Sequence, residues 1–331
     1  MFKHATVYNI PIRDQLPSSS DLEDALSKHR FIECGAIQQQ SSGWVPPRAE
    51  HGRYVEIING HWIIKLCTES KVLPGAVVQE ALQERLKAIK DETGRQPGKK
   101  QIKEIKEEVV VDLLSKAFTK KAFLTAWIDP QQGFLMVDSS SVAKADALAS
   151  LLVKSTDSHS FPISMVHTET SPATAMADWL CIQDAPSPLT IDRECELKGL
   201  DSATDKAKVK YSAHNIQIDE VVSHIKMGKR PTLLALTWNS RVSFQLRDTL
   251  QLSKLTFLDV VFESRSPRSK NADEAFDADV SILTGELAPL LRDVINALGG
   301  IASADASPGN DEEASSDGES SDQFAVESAN D

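Results

Sequence analysis

RYVEIINGHWIIKLC, residues 53–67, reads as two strands, 53–58 and 61–67, folded back on each other through Asn59-Gly60. Asn-Gly is the strongest short hairpin signal, because both residues of a tight hairpin turn take positive φ. The pattern recurs: strands are expected at 122–128 and 133–137 around Asp129-Pro130-Gln131-Gln132, and at 233–238 and 241–246 around Asn239-Ser240. Further strands are expected at 5–10, 194–197, 206–211 and 254–262. Strands that arrive in hairpins, not in βαβ repeats, point to an α+β chain with mixed or antiparallel sheets.

Helices fill the intervals. An amphipathic helix is expected at 21–31, capped by Ser20 or Asp21, whose side-chain oxygens can accept first-turn N–H groups. Gly43-Trp44-Val45-Pro46-Pro47 reads as a loop, because prolines are excluded from a sheet interior. After Leu73-Pro74-Gly75, Val78, Leu82, Leu86 and Ile89 recur at helical spacing. A breaker, Gly94 to Gly98, follows, and Ile102, Ile105, Val109 and Leu113 stripe a second helix over 99–118. The two make a helical hairpin projecting from the sheet. Other helices are expected at 142–154, 173–180, 219–227 and 284–298, the last starting at Thr284, ending at Gly299-Gly300 and containing Pro289. The expected organisation is a central α+β domain (1–74 with 122–186), a helical-hairpin tip (75–121), a second α+β domain (187–301) and an acidic tail (302–331).

Charge is unevenly distributed along the 331 residues. Lys and Arg number 36 against 48 Asp and Glu, a formal net charge of −12. Nine of those acids (Asp305, Asp311, Glu312, Glu313, Asp317, Glu319, Asp322, Glu327 and Asp331) lie in 302–331 with no Lys or Arg. Removing them leaves 39 acids against 36 bases, a net charge of −3. The tail is too poor in apolar residues to offset the entropy of ordering and reads as disordered. Hydrophobic residues at 41% and charged residues at 25% exclude collagen-like, coiled-coil and wholly disordered chains. No apolar run reaches the roughly 20 residues of a membrane span, and the first residues make no signal peptide. Cys34, Cys67, Cys181 and Cys195 lack CxxC spacing and read as reduced thiols of a cytoplasmic protein.

No motif carries catalysis. Gly94-Arg-Gln-Pro-Gly98-Lys99-Lys100 is one residue short of a P-loop, lacks the following Ser or Thr, and joins two helices. The eight histidines include no HExxH. Asp277, Asp279 and Glu286 could hold a hard cation for a metal-dependent nuclease. Alternatively, they occupy the turn before the last helix, where carboxylates favour the N-terminus.

Basic clusters are more informative. Arg95, Lys99, Lys100, Lys103 and Lys106 gather at the tip of the helical hairpin, with Lys99, Lys103 and Lys106 on one side of the helix. Lys116, Lys120 and Lys121 lie at its far end. Lys206, Lys208 and Lys210 alternate, so a strand presents them on one face. Lys226, Lys229 and Arg230 end a helix, and Arg265, Arg268 and Lys270 lie in a loop. Lysine clusters with few interleaved aromatics suit phosphate contacts better than base readout. A protein-binding scaffold with incidental DNA contact is the remaining alternative.

Cys34-Gly35, Gly43-Trp44-Val45-Pro46-Pro47, Ile63 onward to Leu73-Pro74, Ala117-Phe118 and Trp127-Ile128-Asp129 together resemble the bacterial RdgC family of recombination-associated proteins. Met136-Val137-Asp138, Leu236-Thr237-Trp238 and Phe276-Asp277-Ala278-Asp279 continue the likeness. Its most specific part is Leu283-Thr284-Gly285-Glu286-Leu287-Ala288 with Ala297-Leu298-Gly299-Gly300. It extends over about residues 1–301. The resemblance implies a horseshoe-shaped subunit that pairs into a ring around duplex DNA, without sequence preference. It further implies a nucleoid-associated homodimer, not an enzyme, that restrains RecA-dependent strand exchange and needs no cofactor. On that reading the helical hairpin is one closing tip, with Phe118 as an aromatic dimer contact. The tail, beyond the shared region, is expected to compete with DNA for the basic surface. Deleting 302–331 should then tighten DNA binding at low salt; unchanged affinity leaves the tail a solubility role.

Overall fold

The structure is a computed structural model that describes residues 1–48, 52–156, 161–199, 207–213, 216, 219–263 and 271–302. Its first half runs β1 (Thr6–Asn9), α1 (Ser19–Lys28), β2 (Gln40–Val45), β3 (Glu56–Ile58), β4 (His61–Lys71), α2 (Gly75–Thr93), α3 (Lys99–Lys116), β5 (Thr119–Asp129), β6 (Phe134–Val137), α4 (Val142–Ser155) and β7 (Ser164–Met165). The second runs α5 (Pro172–Ile182), β8 (Leu189–Lys198), β9 (Lys208–Ser212), α6 (Asp219–Lys226), β10 (Arg230–Trp238), β11 (Val242–Arg247), β12 (Leu252–Phe257) and α7 (Ala272–Ala297). A seven-stranded sheet has the order β2-β4-β5-β6-β1-β7, with β3 also on β4; a five-stranded sheet has the order β12-β11-β10-β8-β9. Every pairing between these strands is antiparallel, so the α+β class read from the hairpins holds.

β4 is apolar on both faces because both are covered. Trp62, Ile64 and Leu66 pack with Leu22 and Leu26 of α1 and Leu148 and Leu152 of α4. Ile63, facing the other way, joins Trp127 and Met136 in a second core. That core also takes Leu234, Leu236 and Phe244 of the smaller sheet and Leu283, Leu287, Leu291 and Val294 of α7. The sheets are tied directly: Ala5 and Leu252 exchange backbone hydrogen bonds of 2.7 and 3.0 Å. Buried Gln251 donates to Thr6 Oγ1 and to the Ser139 carbonyl, both at 2.9 Å. Residues 1–301 thus form one unit.

Several elements differ from the sequence expectation. Ser18, not Ser20 or Asp21, caps α1, accepting from the Asp21 N–H at 3.1 Å. Gly43, Trp44 and Val45 are strand, not loop; Pro46 and Pro47 follow the strand end and never enter the ladder. β12 stops at Phe257. α3 ends at Lys116, which leaves Phe118 outside the helix and places Thr119, Lys120 and Lys121 in β5. α7 begins three turns before Thr284, capped by Asn271, and Thr284 donates instead to the Val280 carbonyl at 3.0 Å. The boundary expected near 187 falls between α5 and β8. Residues 303–331, which hold the nine tail acids, lie outside the described residues, as do Lys206, Arg265, Arg268 and Lys270.

Gly43 sits where α1's exit crosses β2. Phe31 N–H bonds to the Trp44 carbonyl at 2.8 Å, and a Cβ on Gly43 would lie 2.5 Å from Phe31 N. Only glycine permits that approach. Gly43→Ala should therefore cost about 1–3 kcal/mol, read as a lowered thermal midpoint; a wild-type midpoint would contradict it.

Candidate nucleic-acid interface

The helical hairpin has a small core of its own. Leu82, Ile105 and Val109 are buried together, with Leu86, Ile89, Ile102 and Leu113 packed around them. Gly94, at φ 69°, ends α2 in the left-handed conformation that its lack of a Cβ makes cheap. The apolar stripe fixes where the cations of α3 point. Lys99, Lys103 and Lys106 recur at i, i+4 and i+7 beside it and stay exposed, as do Arg95 and Lys100. Lys103 approaches Glu107 at 4.0 Å, with both side chains largely exposed, so solvent screens the pair. Arg95, Lys99, Lys100 and Lys106 make no ion pair among the described residues.

At the root of the hairpin the picture divides. Lys120 is exposed, also without an ion pair among the described residues. Lys121, by contrast, bonds Glu33 at 2.7 Å and lies over the Phe31 ring at 5.3 Å. The hydrogen bond it donates to Glu33 raises its pKa despite the opposing desolvation. Phe118, between α3 and β5, is 88% exposed, while its carbonyl accepts from Val72 N–H at 2.8 Å.

The second lysine set is largely neutralised. Lys208 lies 2.7 Å from Glu196, and Lys210 and Lys254 each lie 3.2 Å from Glu194. The expectation of a bare lysine face on this strand is corrected accordingly. The acids of β8 alternate with the same period as the lysines of β9, and the register sets each lysine diagonally opposite a carboxylate. Burial pushes the Glu194 and Glu196 carboxyls up, but bonds from Lys254 and Lys210, and from Lys208 and Thr232, more than offset it, so both stay below the ordinary value of 4.5.

At one end of the sheet two cations escape this neutralisation, Arg230 and Lys198, which make no ion pair among the described residues. Arg230 of β10 opposes Lys198 of β8, which opposes Lys208 of β9. Lys226 and Lys229 adjoin this row at the end of α6, where Gly228 at φ 91° turns the chain into β10. Like charges directly across a sheet are destabilising, so this end of the sheet stores positive potential. Lys198 is absent from the sequence-derived set; its one signal was its place in the alternation Glu194, Glu196, Lys198.

The carboxylates considered for a metal do not converge. They sit on one continuous helix, where nine residues put Asp277 and Glu286 on opposite sides. Asp277 bonds Arg48, which also holds Glu56 at 2.8 Å and stacks on Phe276 at 4.9 Å. Glu286 takes Arg241 in a two-pronged pair, with Nε to Oε2 at 2.8 Å. Among the described residues no group of three or more His, Cys, Asp or Glu could hold a metal ion. Two arginines occupy two of the three carboxylates that the nuclease reading needed, Asp277 and Glu286.

What these features define is an α+β protein with segregated surface cations and no assembled metal-ligand cluster among the described residues. The family model described as "Putative exonuclease, RdgC" matches residues 1–301. The recombination-associated protein RdgC of Dechloromonas aromatica is 40% identical over 305 residues, covering 90% of this chain and 97% of its own. Those of a Janthinobacterium species and of Bordetella pertussis are 40% and 38% identical over 299 residues, each covering 90% of this chain and 98% of its own. The chain belongs to the RdgC family, and the resemblance read from its motifs is confirmed. No described helix is long and apolar enough to cross a membrane.

The two lowered carboxyls fix an acid response. Their ion pairs contribute fully above the unfolded value of 4.5 and are lost as pH falls through the lower folded values. A Glu194→Gln, Glu196→Gln variant should therefore melt below wild type near pH 7, the gap closing below about pH 4. A gap unchanged down to about pH 3 would contradict the pairing.

Proposed function

We propose that the protein binds DNA without sequence preference, through phosphates, as a two-fold dimer that closes into a ring around the duplex. By occupying DNA it restrains RecA-dependent strand exchange, and it resides on the nucleoid. The observation that carries this reading is the set of exposed cations on the helical hairpin, Arg95, Lys99, Lys100 and Lys106, with no carboxylate partner among the described residues. Cations left unpaired at that density serve a polyanion without base-specific geometry. Arg230 and Lys198, with Lys226 and Lys229, supply a second contact region. The names of the relatives, all recombination-associated, support the same reading. Binding requires no cofactor and no catalytic group, so the protein acts as a binder and not as an enzyme.

A phosphate-binding hairpin makes a quantitative demand. Lys99→Glu, Lys100→Glu, Lys106→Glu should weaken all duplexes alike and lower the steepness of log K against log salt by about 0.9 for each phosphate no longer neutralised. Unchanged affinity would remove α3 from the interface.

Phe118 is the proposed dimer contact. Its ring is 88% exposed on a backbone held by Val72, a poor use of a phenylalanine in an isolated subunit. Two-fold pairing would bury both copies at once. Phe118→Ala should shift sedimentation toward monomer with the thermal midpoint of the subunit preserved; an unaltered dimer would place the contact elsewhere.

A further inference from the structure

β4 and β5 are both eleven residues long, and the sheet face that carries Leu66, Thr68 and Ser70 borders a groove beside α4. There the cross-strand rows are Gln40–Ser70–Lys120, Ser42–Thr68–Ala122 and Trp44–Leu66–Leu124. α4 is anchored at the last row, where Trp44 Nε1 donates to Ser155 Oγ at 2.9 Å. Its buried stripe, Leu148 and Leu152, faces the core, while a second stripe faces this surface of the sheet. Because Ala143 and Ala147 on that stripe are small, a groove of about 620 Å³ remains between helix and sheet. That volume lies within the range of ligand sites.

The chemistry of the groove is one-sided. Leu66, Leu124 and Leu151 form an aliphatic surface, and serine, threonine and glutamine side chains edge it. Among the described residues the charged groups lining it are Lys144 and Lys154, and no Asp or Glu lines it, in a chain whose net charge is −12. Ten residues of helix separate the two lysines by about 15 Å. That is the reach of four to five extended residues.

We infer that this groove is a docking site for an acidic peptide of a partner protein, one whose carboxylates flank a pair of apolar side chains. The lysines would take the carboxylates, the leucines the apolar pair, and the hydroxyls the extended backbone. Nucleic acid suits the surface less well, because the floor is aliphatic and carries no arginine to stack on a base. A second copy also suits it less well, since an isologous contact centred here would set lysines against lysines. The inference is independent of the ring and of DNA binding.

The test is fluorescence anisotropy of the full chain with a labelled octapeptide, Asp-Asp-Ser-Phe-Leu-Ser-Asp-Asp, at low salt. Saturable binding is expected, weakened at least about tenfold when Phe-Leu becomes Ser-Ser, since burying two such side chains on docking supplies most of the affinity. Ala147→Glu, which fills the groove with like charge, should weaken it by as much. Lys144→Gln with Lys154→Gln, both exposed changes that leave the core untouched, should weaken it about fivefold or more. Equal binding of the Ser-Ser peptide, full affinity in the variants, or displacement by oligothymidine would overturn the inference. So would a change of sedimenting mass in Ala147→Glu, which would make the groove a contact between copies.

Discussion

The ten-residue ladder between β4 and β5, from Trp62 opposite Ile128 to Lys71 opposite Thr119, carries the rest of the molecule. At one end both of its faces are buried, with Trp62 and Ile64 toward α1 and α4 and Ile63 and Trp127 toward the smaller sheet and α7. Each buried side chain of this size contributes about 1.5–3 kcal/mol. At the other end, where the first residues of β5 are exposed, the same two strands lead directly into the helical hairpin. One continuous piece of sheet thus serves as the centre of the fold and as the root of the helical hairpin.

That division of labour sorts the surface charge. Where lysines lie over sheet strands, acids at matching register neutralise them, as Glu194 and Glu196 do for Lys210, Lys254 and Lys208. On α3 and at the tip, Lys103 meets only a solvent-screened Glu107, and Arg95, Lys99, Lys100 and Lys106 have no ion pair among the described residues. α7 is held in a similar way, through Arg48 to Asp277 at one end and Arg241 to Glu286 further along. Its acids fasten the long helix across both sheets, a structural use that leaves them badly placed for metal chemistry.

The hairpins, the helical hairpin and the family likeness were legible in the sequence because each depends on local signals: Asn59-Gly60, the stripe from Ile102 to Leu113, the ending Ala297-Leu298-Gly299-Gly300. Gly43-Trp44-Val45 was misread because the exclusion that belongs to Pro46 and Pro47 was extended backward, and the reason for Gly43 is a backbone, Phe31, brought in by α1. The start of α7 was missed because Thr284-Gly285 resembles a boundary, whereas the stripe through Val280, Leu283 and Leu287 crosses it. The pairing of Lys208 and Lys210 depends on strand register, which a single chain read linearly does not contain. The Arg48–Asp277 bond joins residues 229 apart and was invisible for the same reason.

The central claim is that unpaired lysines grip DNA by its phosphates alone. Titrating the protein onto short duplexes of unrelated sequence across a series of salt concentrations, with magnesium present, tests it most directly. The account predicts one affinity for all sequences, a linear fall of log K with log salt at a slope of several phosphates, about −0.9 for each, and uncut DNA. A weak salt dependence, or duplexes cleaved in magnesium, would contradict it.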